Sequence, residues 1–455
     1  MTMYSGAPGS GNGKKILFAS VPADGHFNPL TGLAKHLQEA GYDVRWYAAS
    51  AYANKLQQLG IPRFAFTKAM DVSISEVDTA FPERAKIKSV PGKLNFDMEH
   101  IFIRRSSEYY EDMLDIRKTF PFDLLICDVA FTGSVFAKEL LGVPVIGVGV
   151  LPLVATSRDL APTGLGLTPA NTRTGKWKHA FLRWFVKRIL FRKPDKLMQR
   201  ILEQYGVQHH NIFLFDLLAA KADLILQSGV PGFEYKRSDL GSNIRIIGSL
   251  LPFDRGVKEK TWFDNRLNQY ERVVLVTQGT VEKDNEKLLV PVLEAFSNTG
   301  TLVICTTGGS GTEALRRRYT AQNIIIEDFI PFADVMPWCD VYITNGGYGG
   351  VMLGITYRLP MVVAGVHEGK NEIAARVGYF KCGINLRSET PGAVEIKKAV
   401  EEIFRNDLYR QQVDRLAREF NQYEPERLCE EYVNALLSPG TVTREKAREL
   451  AASLK

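Results

Sequence analysis

Residues 14–30 read KKILFASVPADGHFNPL and contain a transition from a strand to a helix. The apolar run from Ile16 to Ala19 is typical of a strand that is buried on both faces of a parallel sheet. The turn that follows leads to Pro29, a residue that suits the first turn of a helix. Apolar residues then recur at helical spacing over Leu30–Ala40. The stretch therefore predicts the first strand–turn–helix unit of an open α/β fold.

His26 lies within this turn, beyond the carboxyl end of the predicted strand. Open α/β sheets bind their ligands at the carboxyl ends of their strands. Imidazole is the side chain whose unperturbed pKa suits proton abstraction near neutral pH. His26 is therefore a candidate general base. The alternative interpretation is a histidine that only caps the helix.

Strand patterns alternate with amphipathic helices along most of the chain, in two successive sets. The first set comprises Lys15–Ser20, Asp43–Ala48, Leu124–Asp128, Val143–Val148, Leu224–Gln227 and Arg245–Ile247. The second comprises Arg272–Thr277, Thr301–Thr306, Ile324–Asp328, Val341–Thr344, Met361–Ala364 and Gly383–Leu386. Such alternation predicts an α/β protein with two Rossmann-like, doubly wound domains.

The predicted domain boundaries follow changes in composition. A Gly/Ser-rich, flexible tail (1–13) precedes the N-terminal domain (14–248), and a turn-rich linker without periodicity (249–261) follows it. The C-terminal domain (262–422) leads into a charged helical segment (423–455). A chain of 455 residues is long enough for two separate cores.

Composition and charge exclude several classes of protein. A net charge of +6 is small for this length, and no nucleic-acid-binding motif accompanies it. The five cysteines are isolated, which predicts neither a disulfide framework nor a metal site and favours the reducing cytoplasm. No apolar run reaches the length of about 18 residues that a membrane span requires. We therefore expect a cytoplasmic protein.

One segment departs from this pattern. Residues 176–193 carry seven lysines and arginines and no acidic residue, with aromatic and aliphatic side chains between them. A basic amphipathic helix of this kind can lie on an anionic membrane surface. It can equally be a lid over a cleft with one solvated face. The interpretation as a lid helix is favoured over contact with a membrane.

A glycine-rich motif dominates the second half of the chain. Residues 329–336 read FIPFADVM, and the strand pattern at 341–344 runs into Asn345-Gly346-Gly347-Tyr348-Gly349-Gly350. Together with 359–363 and 371–377, this resembles the donor-binding signature of UDP-dependent family 1 glycosyltransferases, with its W/F-x-P-Q-x-x-x-L run and H-G-G-x-G-S loop. The resemblance extends from about Lys15 to Phe404 and implies a GT-B fold, in which two Rossmann-like domains face each other across a cleft.

The resemblance implies a site for a nucleotide sugar in the second domain. A glycine-rich turn that opens a helix lets backbone N–H groups approach an anion, in agreement with that role. The residues expected to bind the donor are Gly279, Thr280, Phe329, Pro331, Phe332, Asn345, Gly346, Gly347, Tyr348, Gly349, Gly350, Glu368, Lys370 and Asn371. No metal or other cofactor is expected, because N–H groups would already serve the diphosphate.

Asp128 follows the apolar strand pattern 124–127 and matches the family aspartate that orients the catalytic histidine. Such a carboxylate fixes the imidazole tautomer and stabilises the imidazolium. Asp128 could instead cap a helix, and Asp24 is a competitor as the partner of His26. The resemblance thus implies an inverting transfer, from a UDP-sugar with UDP-glucose in first place, to a hydroxyl of a small, largely apolar acceptor of phenolic, flavonoid or polyketide type.

The chain departs from the family pattern within the donor motif. Asn345 replaces the usual histidine, Gly350 a serine, Leu353 a glutamate and Phe332 a glutamine, and the sugar-binding acid–glutamine pair is replaced around residues 368–371. Three rival functions therefore stay open. These are a nucleotide-sugar epimerase, a non-catalytic helper on the same fold, and a peripheral membrane enzyme with a lipid acceptor.

Overall fold

A computed structural model of the chain describes residue 11 and residues 13–73, 76–253, 261–279, 282–367 and 369–438. Most of the expected tail, most of the expected linker and residues 439–455 of the expected C-terminal segment lie outside these residues. Within the described ranges, the strands form two separate sheets, one of seven strands and one of six. All paired strands in both sheets are parallel.

The N-terminal sheet has the strand order β3-β2-β1-β4-β5-β6-β7. Its strands are β1 (Lys15–Ala19), β2 (Asp43–Ala48), β3 (Arg63–Ala65), β4 (Leu124–Asp128), β5 (Val145–Gly149), β6 (Leu224–Ser228) and β7 (Ile244–Gly248). The order reverses between β1 and β4, which pair directly with Ala19 opposite Cys127. This reversal is a topological switch point, where an open α/β sheet leaves a crevice for ligands.

The C-terminal sheet has the order β10-β9-β8-β11-β12-β13. Its strands are β8 (Arg272–Thr277), β9 (Thr301–Thr306), β10 (Ile324–Glu327), β11 (Val341–Thr344), β12 (Met361–Val363) and β13 (Gly383–Asn385). Here the order reverses between β8 and β11, and Thr277 pairs with Thr344. The segments after these two residues therefore leave the sheet side by side.

Helices cover both sheets. In the N-terminal half these are α1 (Asp24–Phe27), α2 (Thr31–Glu39), α3 (Ala53–Leu59), α4 (Val77–Ala80), α5 (Pro82–Ala85), α6 (Val90–Asp97), α7 (Arg105–Thr119), α8 (Ser134–Glu139), α9 (Arg173–Phe185), α10 (Arg192–Gln204) and α11 (Leu214–Lys221). The remaining helices are α12 (Leu289–Phe296), α13 (Thr312–Arg318), α14 (Phe332–Val335), α15 (Tyr348–Thr356), α16 (Lys370–Tyr379), α17 (Ala393–Arg405), α18 (Leu408–Phe420) and α19 (Pro425–Leu437).

The last helix, α19, follows the C-terminal domain in the chain but packs on the N-terminal one. Cys429, Tyr432 and Val433 belong to the same buried cluster as the strands of the first sheet. His36 Nε2 lies 2.7 Å from the Glu430 carboxylate, and the Tyr42 hydroxyl donates to Asn434. The chain therefore passes between the two domains twice.

The predicted elements agree closely with the structure. Each of the twelve predicted strands is present, with ends that shift by at most two residues, as at Val145 where the prediction began at 143. The predicted helix 30–40 is a 3-10 turn (Asn28–Leu30) that contains Pro29, followed by α2. The three-residue edge strand β3 was not predicted. All five cysteines are buried and unpaired, as expected. No helix in the described ranges is both long and apolar enough to span a membrane.

Candidate active site

His26 and Asp128 meet at the switch point of the N-terminal sheet. His26 lies on the short helix α1, directly beyond β1, and Asp128 is the last residue of the neighbouring strand β4. Nδ1 of His26 lies 2.8 Å from Oδ1 of Asp128. The Asp128 side chain is completely buried, whereas that of His26 is 15% exposed. The imidazole is thus anchored on one side and accessible on the other.

Backbone groups hold the Asp128 carboxylate in place. Oδ2 accepts a 2.8 Å hydrogen bond from the Val21 N–H, and Oδ1 accepts one of 2.8 Å from the Ala130 N–H. An ionised carboxylate can only accept hydrogen bonds, so Nδ1 of His26 must carry the proton between the two residues. Nε2 then keeps its lone pair. In this arrangement, Nε2 of His26 can accept a proton from a hydroxyl group.

Asp24, the competitor for the partner of His26, contacts a different residue. Its Oδ1 lies 3.0 Å from the ammonium nitrogen of Lys55, and both side chains are partly exposed. Asp128 also does not act as the helix cap considered as an alternative, because α8 begins only at Ser134. The structure therefore pairs His26 with Asp128.

The glycine-rich loop 345–350 leads from β11 into α15. Gly346 has φ +81°, a backbone conformation that disfavours any residue with a side chain. A methyl group on it would also lie only 2.7 Å from Cγ1 of Val363, too close for normal packing. Gly347 is the N-cap residue of α15 and has no side chain that could bond to the first N–H groups of the helix. The first N–H groups of a helix have no partner within it, and the dipole adds positive potential there. The loop thus offers an anion site built from backbone groups.

The members of this loop face different surroundings. A methyl group on Gly349 would meet no atom within 4 Å, so that position borders open space. A methyl group on Gly350 would instead lie 3.3 Å from the Tyr342 hydroxyl. The Tyr348 side chain is buried, and its hydroxyl donates a 2.8 Å hydrogen bond to the Ser228 carbonyl of the N-terminal domain. Tyr348 can therefore offer a donor only its backbone, while its ring connects the domains.

The second switch point brings Asn345 to the end of β8. The Asn345 side-chain amide donates a hydrogen bond to the Gln278 carbonyl. Gly279 follows with φ +76°, and a methyl group on it would lie 3.9 Å from the same amide nitrogen. Gly279 and the loop 345–350 are therefore neighbours. Thr280 and Glu368, two further expected donor residues, lie outside the described residues.

Phe329 presents an exposed ring beside a second glycine-rich loop. Its side chain is 66% exposed, and a methyl group on Gly309 would lie 3.4 Å from the ring. The sequence analysis overlooked this loop (307–311, TGGSG), although a cluster of glycines directly after β9 was a usable signal. Pro331 caps α14, and Phe332 packs against the C-terminal core. Of these three residues, Phe329 is the one with a ring free to stack on a base.

Lys370 and Asn371 begin α16, next to the glycine-rich loop. A methyl group on Gly346 would lie 3.8 Å from Cβ of Lys370, which places the lysine stem beside Asn345 and Gly346. Asn371 points elsewhere, because its amide donates a 2.6 Å hydrogen bond to the Gly164 carbonyl. The structure thus brings Lys370 to the expected donor site and uses Asn371 as a contact between the domains.

A buried ionic cluster, also overlooked in the sequence, continues this contact. The Glu372 carboxylate accepts hydrogen bonds of 2.9 and 2.8 Å from the N–H groups of Gly164 and Gly166. Its other oxygen lies 3.0 Å from Arg376, a residue only 2% exposed. Because Glu372 and Arg376 are one helical turn apart, their spacing alone resembles an ordinary surface pair. Their buried role depends on how the domains pack.

The side chains of the described residues do not form a group of the kind that binds metal ions in proteins. Across the ranges that the structure describes, no three His, Cys, Asp or Glu side chains come together in a way that could hold a metal ion. Among the described residues, the polar groups at the glycine-rich loop include its backbone N–H groups, the Asn345 amide and Lys370.

Comparison with known proteins supports the expectation from the sequence. Residues 293–434 match the family model of the erythromycin biosynthesis protein CIII-like C-terminal domain. The chain is 32% identical to 4'-demethylrebeccamycin synthase of Lentzea aerocolonigenes over 409 residues, which cover 90% of this chain and 96% of that protein. It is 28% identical to UDP-glycosyltransferase 2 of Phaeomoniella chlamydospora over 419 residues, which cover 89% and 92% of the two chains.

Solved structures show the same fold. A glycosyltransferase of kitacinnamycin superimposes with a TM-score of 0.73 at 18% identity, covering 95% of this chain and all of that one. A calicheamicin glycosyltransferase gives a TM-score of 0.71 at 19% identity and covers 94% and 99%. Both have the GT-B arrangement of two facing Rossmann-like domains. The chain is a glycosyltransferase and belongs to the UDP-dependent family 1 glycosyltransferases of GT-B fold.

Proposed function

We propose that this enzyme transfers a sugar from a UDP-sugar, with UDP-glucose as the first candidate, to a hydroxyl of a small, largely apolar acceptor of phenolic, flavonoid or polyketide type, with inversion at the anomeric carbon. The observation that carries the proposal is the hydrogen bond between His26 and Asp128 at the switch point of the N-terminal sheet. Relatives and structural neighbours that are named for rebeccamycin, kitacinnamycin and calicheamicin support a natural-product acceptor.

In the proposed reaction, the acceptor hydroxyl gives its proton to Nε2 of His26 while its oxygen bonds to the anomeric carbon. The bond from that carbon to the diphosphate oxygen breaks, and UDP leaves with the electron pair. Attack opposite the leaving group inverts the configuration. The Asp128 carboxylate, which lies 2.8 Å from Nδ1, stabilises the imidazolium that forms.

The donor would bind with its diphosphate against the N-terminus of α15. The unpartnered N–H groups of the first turn and the helix dipole would stabilise the charge that develops on UDP. Phe329, 66% exposed, would stack on the base, and Lys370 would supply positive charge that Asn345 cannot provide. In this proposal no metal ion and no further cofactor takes part.

The test is an assay of the purified chain with a panel of UDP- and TDP-sugars and phenolic acceptors, followed by mass spectrometry. We expect a product heavier than the acceptor by one sugar residue, with the anomeric configuration, determined by NMR, opposite to that of the donor. A sugar converted to its epimer without any acceptor would favour an epimerase. Binding of nucleotide without turnover on any acceptor would favour the non-catalytic helper.

A further inference from the structure

Helix α9 presents a row of large apolar side chains to solvent. Trp177, Phe181 and Trp184 are 81%, 58% and 53% exposed. They are spaced by four and three residues, so that they lie on one face of the helix. Ile189, in the π-helical turn 186–190 that follows α9, is 53% exposed as well. Solvated helices rarely expose a contiguous row of this kind, which marks an interaction surface.

The opposite face of the same helix packs against the protein. His179 and Val186 are buried, and the Arg183 guanidinium donates a hydrogen bond to the Leu160 carbonyl. The exposed row is therefore held in a fixed orientation by contacts behind it. The helix that carries the apolar side chains is thus packed against its domain.

The segment that carries this row is basic, and the acidic residues near it in the folded chain include Asp159 beside Lys176 and Asp195 beside Lys187, which bound the segment in sequence. No acidic residue occurs between Asp159 and Asp195. The same interval contains eight basic residues: Arg173, Lys176, Lys178, Arg183, Lys187, Arg188, Arg192 and Lys193. Most of them are exposed, and they flank the tryptophans on both sides. The partner that complements such a surface is negatively charged and has an apolar layer beneath its charges.

A small cavity lies at one edge of the row. It has a volume of about 180 Å³, and its lining includes Arg183, Trp184, Lys187 and Arg188. The ammonium group of Lys187 lies 5.5 Å from the centre of the Phe213 ring, which also lines the cavity. The lining of the cavity is mostly apolar, so the cavity continues the apolar surface of the row, with Lys187 and Arg188 at its border.

We propose that α9 and the turn 186–190 form a docking surface for a membrane that contains anionic phospholipid. Trp177, Phe181 and Trp184 would enter the interfacial zone, where aromatic rings are favoured, and the flanking cations would contact lipid phosphates. A second copy of this chain fits less well, because a symmetric contact would set cation against cation.

The docking surface is connected to the cleft. Thr172 caps α9, and the loop before it carries Gly164 and Gly166, whose N–H groups bond to Glu372 of the C-terminal domain. A membrane bound at α9 would therefore lie close in sequence to the loop whose Gly164 and Gly166 contact the C-terminal domain. Binding of this surface to lipid would be independent of which acceptor the enzyme uses.

The experiment is co-sedimentation of the full chain with vesicles of phosphatidylcholine alone and with vesicles that also contain phosphatidylglycerol. We expect binding to the anionic vesicles only, and loss of binding at high salt, which screens the cations. The double variants Trp177→Ser/Trp184→Ser and Lys187→Gln/Arg188→Gln should each weaken binding by about tenfold or more. The matched control is Trp338→Ser, because that tryptophan is 45% exposed but lies on the C-terminal domain.

Two results would overturn the proposal. In the first, the wild-type chain stays in the supernatant with both kinds of vesicle. In the second, light scattering without lipid finds a dimer that the Trp177→Ser/Trp184→Ser variant loses, which would assign the surface to a second copy. Transfer to a water-soluble acceptor should be the same in both double variants and the wild type. That measurement separates failure of lipid binding from failure of the proposed function.

Discussion

The guanidinium group of Arg376 lies 2.6 Å from the carboxylate of Glu234, and this ion pair joins the two domains. Arg376 also contacts Glu372 at 3.0 Å and lies 4.2 Å from the centre of the Tyr235 ring. Burial is the largest single influence on the pKa of Arg376 and lowers it. Glu234, Tyr235 and Glu372 together outweigh burial, so the pKa lies above its usual value. The cation and its partners therefore depend on one another.

Replacing Arg376 by Leu should destabilise the protein by about 3–5 kcal/mol, because it leaves two buried carboxylates without a cation. Chemical denaturation would measure the change. Arg405→Leu is the control, since Arg405 forms an exposed pair with Glu401 that should contribute less than about 1 kcal/mol. Equal stability of the two variants would show that the cluster is not buried in solution.

His26→Ala should lower the rate of transfer by about 100- to 10,000-fold, the usual contribution of a general base. Affinity for UDP, measured by calorimetry, should stay the same because His26 belongs to the other domain. His210→Asn is a suitable control, since His210 is an exposed histidine with φ +47°, a conformation that asparagine tolerates. A rate within a few-fold of wild type would remove His26 from the mechanism.

Asp128→Asn should lower turnover less than His26→Ala does, because the base remains but its imidazolium loses a carboxylate partner. The Km for the donor should not change. Asp24→Asn is the matched control, since Asp24 contacts Lys55 instead of His26. If Asp24→Asn lowered turnover and Asp128→Asn did not, the partner of His26 would be Asp24.

Removal of divalent cations with a chelator should leave the initial rate of transfer unchanged. In the proposed donor site, N–H groups at the start of α15 and Lys370 would bind the diphosphate without a metal ion. The assay compares protein dialysed against chelator with the same protein after magnesium or manganese is restored. A rate that falls on dialysis and recovers with metal would contradict the proposed donor site.

Lys370→Ala should raise the Km for the nucleotide sugar far more than the Km for the acceptor, because only the donor domain is changed. The lysine stem lies beside Gly346, a member of the loop that is proposed to bind the diphosphate. Lys397→Ala, at an exposed position on α17, controls for the loss of a positive charge from the same domain. Unchanged kinetics in Lys370→Ala would assign recognition of the sugar to other groups.

The sequence predicted the frame of the molecule because buried parallel strands are continuous apolar runs, which are visible without a structure. It missed β3 (Arg63–Ala65), whose three residues are only partly buried at the edge of the sheet. His26 and Asp128 could both be found, because His26 lies in the turn after such a run and Asp128 ends one. The family resemblance favoured Asp128 as the partner of His26, but the local sequence alone left Asp24 as a competitor, because the choice depends on side-chain directions.

Residues that act between the domains were the least predictable. Glu234 and Arg376 are 142 positions apart, and nothing in the local pattern of either residue indicates the other. Tyr348 was expected at the donor, but its hydroxyl reaches the Ser228 carbonyl, a contact that exists only after the domains have docked. Local periodicity describes a single strand or helix, whereas these contacts depend on the relative position of two sheets.

The return of α19 to the N-terminal domain has a practical consequence for recombining enzymes of this family. A chimera with one crossover, made in the segment between the two sheets, would combine the first half of this chain with a foreign final helix. The contacts of His36 with Glu430 and of Tyr42 with Asn434 would then be lost. An exchange of specificity between relatives should instead use two crossovers and keep Pro425–Leu437 with its own first sheet.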